Sequence, residues 1–323
     1  MATLEWLSKY LLVLAIPYFL GLVAWEWWAT RQRPQYAELR GYALKDSAVS
    51  LSLGSIKLAM MALTALYTVP VFAWVYQHRL FTLSPLEVWT WPLLFIAEDF
   101  CYYWYHRSAH RVRLYWAEHV NHHSSEYYNF GTALRQSTLG PAYIFVFWLP
   151  LAWLGFHPLA IAVQAGISLV YQFWIHTETI RRLPRWFEWL FNTPSHHRVH
   201  HGSNGLYIDR NYGGILIVWD RLFGSFQPEL PELPVRYGLV HNLHSYRLGT
   251  VIFHELRHLL REAWRARGLR NKLLWIFGPP EWTPEGPNWP ADHPKALALS
   301  TGNAVTGLAL AGSKPGEPPP NTP

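Results

Sequence analysis

The chain has 323 residues, half of them hydrophobic, with 19 Trp, 18 Tyr and 16 Phe, an aromatic load high for a soluble protein and suited to membrane interface belts. Lys and Arg outnumber Asp and Glu by 27 to 21, but the basic residues flank apolar runs, which argues against nucleic acid as partner and for anionic lipid headgroups. A single cysteine, Cys101, rules out an internal disulfide and, inside an apolar run, reads as a small buried hydrophobe.

Residues 4–29 form the first apolar run, with Glu5 ahead of its core and no small-residue cleavage site, so a membrane span is expected and not a removable signal. Trp25, Trp27 and Trp28 mark its far interface, and Arg31, Arg33, Arg40 and Lys45 follow, which places that loop in the cytoplasm. Residues 55–76 are the second span, with Pro70 as a tolerated kink, and Ser84 and Pro85 turn the chain. Residues 86–105 return it and carry Glu98 and Asp99, ionisable groups at a depth where function is the default reading. Residues 141–156 and 158–178 are each barely long enough to cross, so two spans or a re-entrant hairpin are both open.

Residues 182–192 have the aromatic spacing of an interfacial helix, and residues 241–270 read as a basic amphipathic helix that caps the cytoplasmic face or lies on headgroups. From residue 284 to 323 the Pro, Gly and small-residue alternation predicts a disordered tail. The expected fold is therefore an all-α, polytopic integral membrane protein with about four to five transmembrane helices. Its single domain covers residues 1–283, with a core at 86–230 and a cytoplasmic helical cap bearing a histidine-rich dimetal site.

The histidines carry the chemistry. His106 and His110, then His119, His122 and His123, and far downstream His197, His200 and His201 are spaced so that each set shares a helical face. Neutral imidazole suits Fe, Zn, Cu and Ni, and these eight are too many for one ion with four ligands, so two metals are expected. His176, level with the sets, is a ninth candidate ligand. The alternative is that histidines at a membrane surface merely sit at the headgroup boundary.

His196 projects about 100° from His197 and is expected outside the ligand set. His157 falls at the opposite interface, and His241, His244, His254 and His258 read as surface residues. Asp99 lies two helical turns before His106, where its carboxylate could accept that ring's second N–H; the alternative is a pair with Arg107. Glu178 and Asn211 are further candidates to support the ligands.

The order HxxxH, HxxHH and distant HxxHH beside apolar helices resembles the fatty acid hydroxylase superfamily in its sterol desaturase branch. EHVNHHSSEYYNFGTALRQS from Glu118 and NTPSHHRVHHGSNGLYIDRNYGGILIVWDRLFGSF from Asn192 are similar to its alkylglycerol monooxygenase group. That resemblance implies a non-haem di-iron centre, open to zinc substitution, that activates O2 to hydroxylate or desaturate a membrane lipid. It also implies an external donor, either a protein or a reduced pterin such as tetrahydrobiopterin. The chain has neither a GxGxxG fingerprint nor a CxxCH haem attachment.

Arg111 departs from that group, which typically has an acidic residue there. Asn211, Tyr212 and Asp220 match positions of the resemblance whose roles the spacing does not give, and ordinary turn packing is the alternative. Rival functions are a lipid or sterol desaturase of the same superfamily, a membrane zinc hydrolase, and a haem- or metal-binding membrane protein.

Overall fold

The structure is a computed structural model that describes residues 1–300, and among these it is helical, with no strand beyond isolated bridges. Two helices are long and apolar enough to cross a membrane: α1, Ala2–Gln32, and α2, Leu44–Gln77. Pro17 and Pro70 sit inside them. Next come α3, Thr90–Arg111, and α4, Arg113–His123, set off from each other by extended Val112.

The two short apolar runs form a hairpin in which only the second arm is a regular helix of length. Residues 141–156, expected as a span or half of a hairpin, give 3-10 turns and then α5, Leu149–Leu154, whereas the second run gives α6, Pro158–Trp174. Gly155 turns the chain at φ 120°, and a Cβ there would lie 2.2 Å from the Phe81 carbonyl oxygen, so only glycine fits. His157 accepts from the Leu159 N–H and starts α6, at the end of the molecule where Leu80 and Leu83 bond to Trp153 and Gly155.

The expected interfacial helix is one short turn pair, α7, Arg185–Leu190, with Trp186 and Trp189 exposed. α8, Pro194–His200, and α9, Val218–Leu222, follow. The helix expected from residue 241 begins only at Leu248: residues 241–247 are loop, with His244 in the left-handed region, and α10 runs Leu248–Arg265. Its apolar face explains its place, since Val251 and Ile252 pack on Val49 and Leu53 of α2. α11, Leu269–Phe277, and α12, Pro294–Ser300, complete the fold. Residues 284–300, expected as tail, pass against Gly205, and Arg236 pairs with Asp292; residues 301–323 lie outside the described residues.

Two buried carboxylates tie the long helices to the histidine-bearing segments. Glu26 of α1 accepts from Tyr42 (2.5 Å), the Phe130 N–H (2.8 Å) and Thr177. Asp46 of α2 accepts from Ser125 (2.8 Å) and Arg135 (3.3 Å). Phe173 of α6 stacks between Phe19 and Phe130, completing a continuous wall.

Candidate metal centre

Nine histidines meet between the end of α3, the end of α4, the turn that follows α6, and α8 with the residue that ends it. Their ligand atoms fall into two groups, each within 4.8 Å: His106, His110, His119, His123 and His200, and His122, His176, His197 and His201. Each HxxHH motif is divided between the groups. The i, i+4 pairs His119/His123 and His197/His201 stay together, while His122 and His200 cross to the other group. The groups touch, with the His123 and His201 rings stacked at 4.3 Å.

All nine are between 1% and 7% exposed, so bulk solvent does not reach their nitrogens. Four ring Nδ1 atoms donate to backbone carbonyls: His106 to Tyr212 (2.8 Å), His122 to Arg135 (2.8 Å), His176 to Gln172 (2.7 Å) and His200 to Arg210 (2.9 Å). A neutral ring that donates from Nδ1 keeps a lone pair on Nε2. The His122 and His176 Nε2 atoms nevertheless face each other at 3.2 Å with no proton to share. His110, His200 and His201 leave buried Nε2 atoms without any partner.

Burial, with neighbouring histidines adding to it, holds His106 down at about 3 and His119, His123, His197, His200 and His201 well below the ordinary imidazole value. Neutral rings with convergent lone pairs and no compensating proton fit cations, and an all-nitrogen donor set fits first-row transition metals. His196 belongs to neither group; its ring packs edge-on against Phe226 at 5.3 Å. His254 donates to the Val251 carbonyl on α10, and His258 packs on Trp275, both outside the two groups.

The support of the rings differs from the expectation. Asp99 does not reach His106, and neither Asp99 nor Glu98 meets Arg107. Asp99 accepts instead from the Ile215 and Leu216 N–H groups (2.7 and 3.1 Å) and Trp219 Nε1 (2.9 Å), while Arg107 donates to Tyr103. The physical reason is that a run of unpaired backbone donors at 212–216 needs acceptors more than a ring already bonded to a carbonyl does. Asp220 serves the same run, accepting from the Tyr212 and Gly213 N–H groups and Ser225; burial raises its carboxyl to about 6.

Asn211 also acts through the backbone. It sits in the left-handed region (φ 56°), donates to the His196 and Gln227 carbonyls and accepts from the Gln227 N–H. Asp209 is left-handed too, so the 209–212 segment turns the Arg210 and Tyr212 carbonyls onto His200 and His106. Glu178 stands two rings away, beside Tyr237, which stacks on Tyr128, which packs against His176 and His201.

Three supports were not picked out from sequence. Asp209 lies 3.7 Å from His110 Nδ1 and pairs with Arg111; burial would raise its carboxyl, but His110 and Arg111 hold it below the ordinary range. Buried Arg135 donates to the Asn121 carbonyl and Ser124 while its own carbonyl holds His122. Arg198 of α8 grips Glu229 with two nitrogens and reaches the Thr177, Ile180 and Arg181 carbonyls, fastening the turn after His176 to the helix of His197. The paired Asp and Asn around Arg210 were the available signal for the first; the arginines gave none.

Comparison with known proteins agrees with this geometry. Residues 91–225, which contain all nine histidines, match the fatty acid hydroxylase family. The chain is 40% identical over 290 residues to an alkylglycerol monooxygenase of Danio rerio, covering 88% of this chain and 63% of that one. It is 41% identical over 281 residues to the Homo sapiens alkylglycerol monooxygenase, covering 84% and 60%. A Delta(7)-sterol 5(6)-desaturase of Aspergillus fumigatus is 30% identical over 151 residues, covering 44% and 38%. The chain thus spans about 60% of the length of the alkylglycerol monooxygenases it matches, and no solved structure matches it. The part of the chain that builds the histidine centre is thus similar to fatty acid hydroxylase domains, and the likeness to the alkylglycerol monooxygenases extends over most of this chain.

Proposed function

We propose that the protein is a multi-pass membrane di-iron oxygenase that hydroxylates a lipid C–H bond, acting on an alkylglycerol-type ether lipid. The observation that carries this reading is the pair of buried groups in which nine imidazoles turn unprotonated nitrogens on one another. His106, His110, His119, His123 and His200 would hold one iron and His122, His176, His197 and His201 the other. Iron bound there supplies dioxygen activation, which protein side chains cannot.

The chain's own residues do the rest. Backbone carbonyls at Gln172, Arg135, Arg210 and Tyr212 keep the proton on Nδ1 and aim each Nε2 inward. The Arg198 and Asp99 networks hold the supporting turns rigid, and the burial of the rings excludes water. Hydroxylation takes one O2, two electrons and two protons per C–H bond and releases water. The electrons come from an external donor, for which the alkylglycerol monooxygenase resemblance supports tetrahydrobiopterin. Zinc would occupy the same nitrogens without supporting oxidation.

Membrane placement follows from the long helices. α1, α2, the part of α3 up to Tyr105 and α6 would supply four spans, with the α5–α6 hairpin in place of a fifth. Glu26 and Asp46 fasten the centre to the end of α1 and the start of α2, beside the Arg-rich 31–45 loop, which supports a cytoplasmic centre. Desaturation is the second reading, favoured by the sterol desaturase similarity, because both outcomes begin with removal of the same hydrogen.

The test is incubation of iron-loaded protein with 1-O-hexadecylglycerol, a reduced pterin and 18O2. One 18O atom in the fatty aldehyde or hydroxylated product supports hydroxylation. Loss of two hydrogens without label selects desaturation, and an unchanged lipid with intact iron rejects both.

A further inference from the structure

α2 has 34 residues and is about 51 Å long, against a hydrocarbon core of about 30 Å, so one end stands outside it. Asp46 bonds the first turns to Ser125 and Arg135, so the projecting end is the N-terminal one. That puts Lys57, roughly four turns in, at the boundary where lipid heads lie.

Lys57 does not face lipid. Asp46, Ser50, Lys57 and Thr64 fall within about 40° of one another around the helix. Asp46, Ser50 and Thr64 are buried, whereas Leu51, Leu58, Leu63 and Leu66 are exposed. Gly54 on this side allows close approach, since a Cβ there would lie 2.8 Å from the Leu134 carbonyl oxygen. Half-buried Lys57 then donates to Gln136 Oε1 at 2.7 Å, and Gln136 in turn donates to the Ala133 carbonyl at 2.7 Å.

An ammonium has three donors and a neutral amide oxygen satisfies one. Among the described residues, the ion pairs of this region join Arg135 to Asp46 and leave Lys57 without a carboxylate. A cation so placed calls for an acceptor from outside the fold. Gln136 directly follows Arg135, whose carbonyl orients His122, so the free donors lie on the flank of the histidine centre.

We propose that Lys57, steadied by Gln136, binds the oxygen atoms of the substrate's polar head and thereby sets which carbon of the chain reaches the centre. The ligand class is an amphiphile whose head offers hydroxyl, ether or phosphate oxygens. The inference rests on the lipid-oxygenase reading, and binding separates the two.

Purified protein is equilibrated with deuterated 1-O-hexadecylglycerol, its 3-phosphate, or headless hexadecane, and bound lipid is measured by mass spectrometry after gel filtration. Lys57→Met should weaken binding of a head-bearing lipid about 10- to 100-fold, with Lys57→Arg close to wild type and hexadecane unaffected. Loss confined to the phosphate ester assigns phosphate oxygens, and loss of both lipids extends the assignment to hydroxyl and ether oxygens. KM for the bound lipid should rise by the same factor with kcat and iron content retained.

Unchanged lipid binding in Lys57→Met, no head-dependent binding by wild type, or a fall in iron content would overturn the proposal. If Lys57→Met does not fold, Gln136→Leu, which frees the ammonium from its holder, must show the same head-dependent loss. Head-dependent binding without any lipid oxidation by the wild type would reject the oxygenase reading and leave the head site standing.

Discussion

His106 shows in one residue how burial, proton placement and metal binding are linked. Its value of about 3 lies far below the ordinary 6.5, first because it is buried and then because His110 is beside it. Below pH 6.5 the unfolded chain takes up a proton that the native ring refuses until about pH 3, so metal-free protein should be at full stability above about pH 6.5. It should lose stability as the pH falls from there towards 3. Thermal melts of metal-free protein from pH 7.5 to 5 check this, and a flat midpoint over that range would contradict it. Asp99 makes a second residue-scale prediction. Asp99→Asn keeps the shape but points an N–H₂ at one of three donors, so it should cost about 2 kcal/mol and lower metal affinity about 10-fold. Denaturant titration and metal competition measure the two effects.

The helical elements show how far spacing alone could be read. The three histidine sets were legible because i, i+3 and i, i+4 repeats fix a shared face whatever the tertiary fold, and His176 from its place at the end of an apolar run. The division of each HxxHH motif between two groups was not, because it depends on how the end of α4 crosses α8. The supporting contacts were hidden for a different reason. His106, His122, His176 and His200 lean on backbone carbonyls, which every residue has and no sequence pattern marks.

Residues 241–247 read as helix by composition, yet the structure keeps them as loop before the apolar face of α10 meets α2. Arg198 tests the element scale. Arg198→Met should leave α8 in place but free the 177–181 turn, with loss of metal from the His176 group before the other. Retention of metal by both groups to the same chelator concentration would count against that role. At the hairpin, Gly155→Ala meets both a forbidden φ and the Phe81 carbonyl, and should lower the melting temperature without changing metal content.

At the scale of the whole molecule, an apolar pair of long helices carries a polar, buried centre at one end only. Of the four to five spans expected from the apolar runs, two helices among the described residues are long and apolar enough to cross by themselves, and the run at 141–156 spends its residues on 3-10 turns and a short helix. The account requires the centre and the 31–45 loop to share a side. Cysteine-accessibility labelling at Glu38 and at Glu126 should therefore report the same compartment, and opposite compartments would refute the topology. The central claim is that nine histidines hold two ions. The most direct test is the iron content of protein purified from iron-supplemented cells, where the account predicts about two irons per chain, reduced to about one in His197→Ala. A single ion per chain in the wild type, unchanged by iron supply, would contradict it.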